Sequence, residues 1–153
     1  MNTYLLHPLA RFLVALIFIM SGMGKLFGFT QTAAMMESVG FPAPSLFLVG
    51  AILLEIVGGV LLLVGYKARW ASLALFVFLI PATLIFHAAN LADPAQGQQQ
   101  MIEVLKNLAI LGALVKFAAD GAGAYALDNV LAPRTERVGT AETSKVVREE
   151  KHA

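Results

Sequence analysis

SLFLVGAILLEIVGGVLLLVGY, running from Ser45 to Tyr66, holds one charged side chain, Glu55, in a run otherwise apolar, small or terminal. Its length matches the roughly 20 residues that carry a helix across a hydrocarbon core about 30 Å thick. A carboxyl near the middle of such a segment costs about 2.5–3.5 kcal/mol on insertion scales, and residues of this kind face a partner rather than lipid. Glu55 therefore predicts a membrane helix with an inward face. Ala51, Gly58 and Glu55 share that face with Gly59 at 100° per residue, so a neighbouring helix is expected to approach closely there.

Outward from this stretch the chain stays apolar. Of its 153 residues 58% are hydrophobic and 14% charged, and the mean hydropathy of +0.74 sets it apart from soluble domains. Further apolar runs occupy Leu9–Phe27, Trp70–Ala92 and Met101–Ala119, the last interrupted by Glu103, Lys106 and Lys116. These runs are too long and even for barrel strands, and a spanning chain that is not a closed barrel must be helical. The expected fold is all-α: a membrane-embedded four-helix bundle over residues 1–132, with helices at about 8–27, 45–66, 69–91 and 101–120. Met1 to Pro8 has neither Lys nor Arg, so the first helix is expected to be retained and not cleaved as a leader.

Charge asymmetry predicts orientation. Arg11, Lys67, Arg69 and the basic residues beyond Pro133 fall on one side, whereas Lys25 and Lys106 lie near helix ends on the other. The positive-inside rule then puts both termini in the cytoplasm. In the tail at 133–153, nine of the twenty residues after Pro133 are charged, which predicts a disordered cytoplasmic extension. On the outer side, Thr30 is expected to cap a short helix through TAAMMESV that tethers the rim, with a gating lid as the alternative. DPAQGQQQ reads as a polar loop.

Helical phase brings polar residues toward one outward-opening region. Ser21, Gly22 and Lys25 form a patch on the first helix; Thr83, His87 and Asn90 form a stripe on the third; Glu103, Lys106 and Asn107 gather on the fourth. The candidate polar site is thus Glu55, Lys25, His87, Lys106, Asn107 and Glu103, with Gly22, Gly58 and Gly59 as helix-packing positions. The partners of Glu55 narrow to Lys25 and His87, because Arg11 lies about 21 Å below Lys25 on the same side of its helix. Against this stands a plainer reading in which Lys25 and Lys106 snorkel to the headgroups and Glu103 pairs with Lys106 at i+3.

Several chemistries are disfavoured. With no cysteine, the chain forms no disulfide and relays no thiol electrons. His7, His87 and His152 offer no facing axial pair, so haem is not expected, and Glu55, His87 and Glu103 lack metal-ligand spacing. No phosphate loop, nucleophile elbow or nucleotide fingerprint is present, and a net charge of +1 gives no reason to expect nucleic acid.

RFLVALIFIMSGMGKLFGF, LLEIVGGVLLLVGY, FHAAN, KNLAILGAL and GAGAYALD together resemble the DoxX family of small bacterial membrane proteins, in particular its YqjF-like branch, over about Leu9 to Leu131. The resemblance implies a four-helix protein of the bacterial inner membrane, linked by analogy to membrane redox systems. Three functions follow as expectations. The first is a redox component with a quinone or small-molecule site in the outer half of the bundle, where Glu55 or His87 exchanges a proton and Lys25 or Lys106 steadies an oxyanion. The second is a scaffold for soluble or membrane oxidoreductase partners; the third is a proton-coupled transporter, which four helices would form only as a homo-oligomer.

Overall fold

The computed structural model describes residues 3–131, and all regular structure among them is helical. The tail expected at 133–153 lies outside the described residues. The elements are α1 (Thr3–Phe27), α2 (Phe29–Ser38), α3 (Pro44–Val64), α4 (Ala68–Phe86), a 3-10 turn (Ala88–Asn90), α5 (Gly97–Asp120) and α6 (Leu127–Leu131). Three stretches are long and apolar enough to cross a membrane: Tyr4–Phe27, Pro44–Val64 and Ala68–Asn90. The similarly long α5 is not among them, since it carries Glu103, Lys106, Lys116 and Asp120.

Three boundaries differ from those the apolar pattern predicts. The third predicted helix, expected to reach residue 91, ends at Phe86, with His87 capping it before the 3-10 turn. That break dissolves the expected Thr83–His87–Asn90 stripe. Gly28, not Thr30, stands at the start of α2, and no side chain caps it. Half of the supposed polar loop DPAQGQQQ is the first turn of α5, which begins at Gly97.

Each long helix buries one stripe at helical spacing and leaves the rest of its circumference as exposed apolar surface. On α1 the stripe is Arg11, Ala15, Phe18 and Gly22; on α3 it is Leu48, Ile52, Glu55, Gly58, Gly59 and Leu62. Phe18, Leu62, Leu75, Leu79, Ile110, Leu114 and Phe117 join α1, α3, α4 and α5 in one core. Lipid is as apolar as these side chains, so the contacts hold by close packing more than by expulsion from water. Glycine makes that closeness available. A Cβ on Gly59 would stand 2.9 Å from Ile19 Cγ1 and 3.3 Å from the Ala15 carbonyl oxygen, and one on Gly22 2.7 Å from Ile56 Cγ1, so α1 and α3 meet along two glycines. Gly58, on the adjoining face of α3, receives Leu75 of α4 instead.

The α1–α3 seam is thus sensitive to volume. Gly59→Leu is expected to cost about 1–3 kcal/mol through overpacking. Gly50→Leu, at a position with nothing within 4 Å, should be near neutral. Thermal unfolding of both variants in one detergent compares them directly; equal midpoints would show that the seam does not depend on glycine.

Candidate functional site

The α1–α3 seam carries the one ion pair among the described residues that joins two helices. Glu55 is 4% exposed, at the level where Gly22 lets α1 touch α3. One turn further along α1, Lys25 Nζ donates to Glu55 Oε2 at 2.9 Å, to Oε1 at 3.0 Å and to Ser21 Oγ at 2.6 Å. These three acceptors match the three N–H bonds of an ammonium. The Ser21 hydroxyl lies 3.3 Å from Glu55 Oε1 and closes the triangle. Opposed charges in bidentate contact leave little net charge, so the apolar segment around Glu55 can enter a membrane.

The two partners are not equally hidden. The Lys25 side chain is 28% exposed and that of Glu55 6%, so a molecule approaching the pair meets the ammonium first. Toward the Lys25 end, α3 is covered by α2. Met36 is buried against Leu48 and Ile52, and Phe29, Phe41, Ile56 and Phe86 pack around them. Phe41 stacks on Phe86 with ring centroids 6.2 Å apart, and Phe47 meets Phe41 edge-on at 5.0 Å. The short helix α2 is therefore packed into the fold by a methionine and aromatic cluster.

The remaining candidates form a second polar group between α4 and α5. Asn107 Nδ2 donates to Thr83 Oγ1 at 3.0 Å, and that hydroxyl donates to the Leu79 carbonyl at 2.7 Å, both residues being buried. His87 Nδ1 lies 2.8 Å from Gln100 Oε1 and not on Glu55, which corrects the expectation that His87 is, with Lys25, a candidate partner of the carboxylate. It lies beyond the end of α4, so its direction is set by the cap and not by helical phase. Lys106 pairs with Glu103 three residues before it, as the plainer reading held. No group of three or more His, Asp or Glu side chains among the described residues is placed to hold a metal ion.

Arg11 plays a part that its sequence position did not suggest. It is 2% exposed, and it donates from Nη1 to the Ala122 carbonyl at 3.0 Å and from Nη2 to the Tyr125 carbonyl at 2.7 Å. A charge assigned to the membrane surface is instead a buried clamp on the segment after α5. Asp128 completes the fastening by accepting from the backbone N–H groups of Lys67 at 2.7 Å and Ala68 at 3.2 Å, where α4 starts. The available signal was the one used for Glu55: a lone charge among apolar residues, here in LARFLVAL.

Buried polar stripes on α1 and α3, a glycine seam and a clamped GAGAYALD segment now stand together with the family comparison: the DoxX family matches residues 6–88, more than half of the chain. The chain belongs to the DoxX family. Inner membrane protein YqjF of Escherichia coli (strain K12) is 36% identical over 122 residues, covering 80% of this chain and 88% of the relative. Inner membrane protein YphA of the same organism is 36% identical over 121 residues, 78% of this chain and 86% of its own. No solved structure matches the chain. The family match spans α1 to α4 and so contains both Lys25 and Glu55, whereas α5 lies outside it.

Removing one member of the pair strands the other. Lys25→Met should destabilise the protein by about 3–5 kcal/mol, the usual cost of leaving a buried charge alone, while Lys25→Met combined with Glu55→Leu should recover most of it. Chemical or thermal unfolding of the wild type, both singles and the double gives the coupling. Additive losses would mean that the contact contributes nothing beyond its two side chains.

Proposed function

We propose that this DoxX-family protein is a multi-pass inner-membrane component of a redox system, with Ser21, Lys25 and Glu55 as the site for a quinone or a similar carbonyl compound. The reading rests on one observation above all: a buried carboxylate held by an ammonium that is itself partly exposed. A ligand carbonyl arriving at Lys25 finds a cation able to stabilise negative charge developing on its oxygen, and Glu55 behind it can give or take a proton. Reduction of a quinone to its quinol takes up two electrons and two protons. The electrons would come from an oxidoreductase partner, one proton would come from the pair, and the second from water on the exposed side of Lys25.

In this proposal α5 completes a four-helix bundle. Lys106 and Lys116 each meet a carboxylate about one turn away along the helix, Glu103 toward its start and Asp120 at its end. Both termini then lie on the side of Lys67, Arg69 and the basic tail, which the positive-inside rule makes cytoplasmic. A second reading, a scaffold for oxidoreductase partners, draws support from the same helix. The Lys116 side chain is 74% exposed on α5, and its neighbour Gly112 has nothing within 4 Å, which suits a docked protein helix better than lipid.

A ubiquinone or menaquinone analogue titrated into the detergent-solubilised protein tests the first reading. Saturable binding is expected, weakened about tenfold or more in Glu55→Gln. Binding that is absent, or equal in a folded Glu55→Gln variant, would reject it. The scaffold reading predicts the reverse, tolerance of Glu55→Gln with recovery of an oxidoreductase after crosslinking in membranes.

A further inference from the structure

The opposite end of the molecule holds a group of donors that neither the fold nor the proposed redox site uses. The segment Gly121–Leu127 joins α5 to α6, and several of its carbonyls are consumed from within: Ala122 and Tyr125 accept from Arg11, and Gly123 accepts from Asn129 Nδ2 at 2.7 Å. The backbone N–H groups from Ala122 to Leu127 donate to no acceptor among the described residues. Positive φ recurs at every second residue, 83° at Gly121, 70° at Gly123 and 52° at Tyr125. At Gly121 ψ is −163°, and the chain then bends through Gly123 and Tyr125, so N–H groups left without an acceptor lie close together in a tightly bent backbone, the kind of segment that forms an anion-binding concavity.

Two cationic or proton-bearing side chains lie directly on this segment. A Cβ on Gly121 would stand 3.2 Å from Arg69 Nε, and one on Gly123 would overlap the His7 imidazole. The two glycine Cα atoms are no more than about 7.6 Å apart, since each trans peptide spans 3.8 Å. Arg69 and His7 thus flank one short stretch of backbone. Both are exposed, and neither makes a hydrogen bond or ion pair among the described residues. The nearby carboxylates are occupied, Asp128 by the start of α4 and Asp120 by Lys116. Buried Arg11 Nε also lacks a partner, so this end has donors and positive charge in excess of acceptors.

Depth in the membrane narrows the anion. Trp70 at 72% exposure, Tyr125 at 71% and Tyr4 at 56% all belong to this end, and Tyr and Trp concentrate at the level of lipid headgroups. We infer that Arg69, His7 and the Gly121–Leu127 backbone form a binding site for a phosphate-class anion, supplied by the headgroup of an anionic phospholipid. The guanidinium pairs with phosphate oxygens, the imidazole and backbone N–H groups complete the contact, and Trp70 lies against the acyl chains. The site is separate from Lys25 and Glu55, and it stands whether or not they bind a quinone.

The test uses the full chain, purified and delipidated in a neutral detergent, with thermal unfolding followed as lipid is added. Phosphatidylglycerol is expected to raise the midpoint saturably, and phosphatidylcholine with the same acyl chains is not. Arg69→Gln and His7→Gln should each weaken the phosphatidylglycerol response about tenfold, with lipid-free midpoints close to wild type because both side chains are exposed. Lys106→Gln, a cation at the other end, should respond as wild type does. Equal protection by the two lipids, or unchanged affinity in both Arg69→Gln and His7→Gln, would overturn the site. Matching protection by inorganic phosphate at the lipid's concentration would overturn the assignment to a lipid headgroup.

Discussion

A carboxylate buried in the middle of a membrane-length apolar helix has little water to answer it, and the contact that answers Glu55 is the Lys25 ammonium reaching across from α1. Much of the arrangement follows from that need. For the two side chains to meet, α1 must lie tightly along α3, which Gly22 and Gly59 permit because any Cβ there would strike the facing helix. Once α1 and α3 are held so closely, the other face of α3 is left for α4, and Gly58 accepts Leu75. Polar pairing and small-residue packing act together, since an ammonium held a few ångströms further off would leave the carboxylate's lone pairs unmet.

The inner stripe of α1 runs Arg11, Ala15, Phe18, Gly22, Lys25, so it carries a cation at each end and small or apolar groups between. The two cations are answered differently. Lys25 meets a formal negative charge, whereas Arg11 is met by two backbone carbonyls of the segment after α5. Carbonyl dipoles suit a guanidinium, whose planar fork presents several donors at fixed angles and is more weakly hydrated than an ammonium. One helix thereby ties α3 at one end and the close of the chain at the other. The pair is partly open through Lys25, whereas the Arg11 clamp is buried and structural in the contacts it makes. Its by-product is a loop in which the Ala122, Gly123 and Tyr125 carbonyls are turned to internal donors.

How far the site could be read in the residues differs from one to the next. The inward direction of Glu55 follows from helical phase alone, because its neighbours on that face are small and α3 is regular throughout. Ser21 and Lys25 are one turn apart on a continuous helix, so their joint presentation is equally local. His87 lies past the end of α4, where the 100° rule no longer holds, and its ring turns to Gln100 from a stretch that reads as loop. Arg11 shows a different limit. Counting charges for orientation treats every cation near a helix end as solvated, but a carbonyl-rich loop more than a hundred residues away can bury one.

By itself the sequence determined that this chain is helical and membrane-crossing, which face α3 turns inward, and that Glu55 requires a compensating partner. Those conclusions depend on local geometry and on the absence of water in hydrocarbon, both of which act on a segment whatever its neighbours are. Tertiary structure alone decided that Lys25 and not His87 meets Glu55, that Arg11 is buried against Ala122 and Tyr125, and that the polar residues form two groups instead of one. Such choices depend on how closely two helices approach and where each one stops. Those distances are set by packing across the whole molecule, through contacts between residues far apart in the chain.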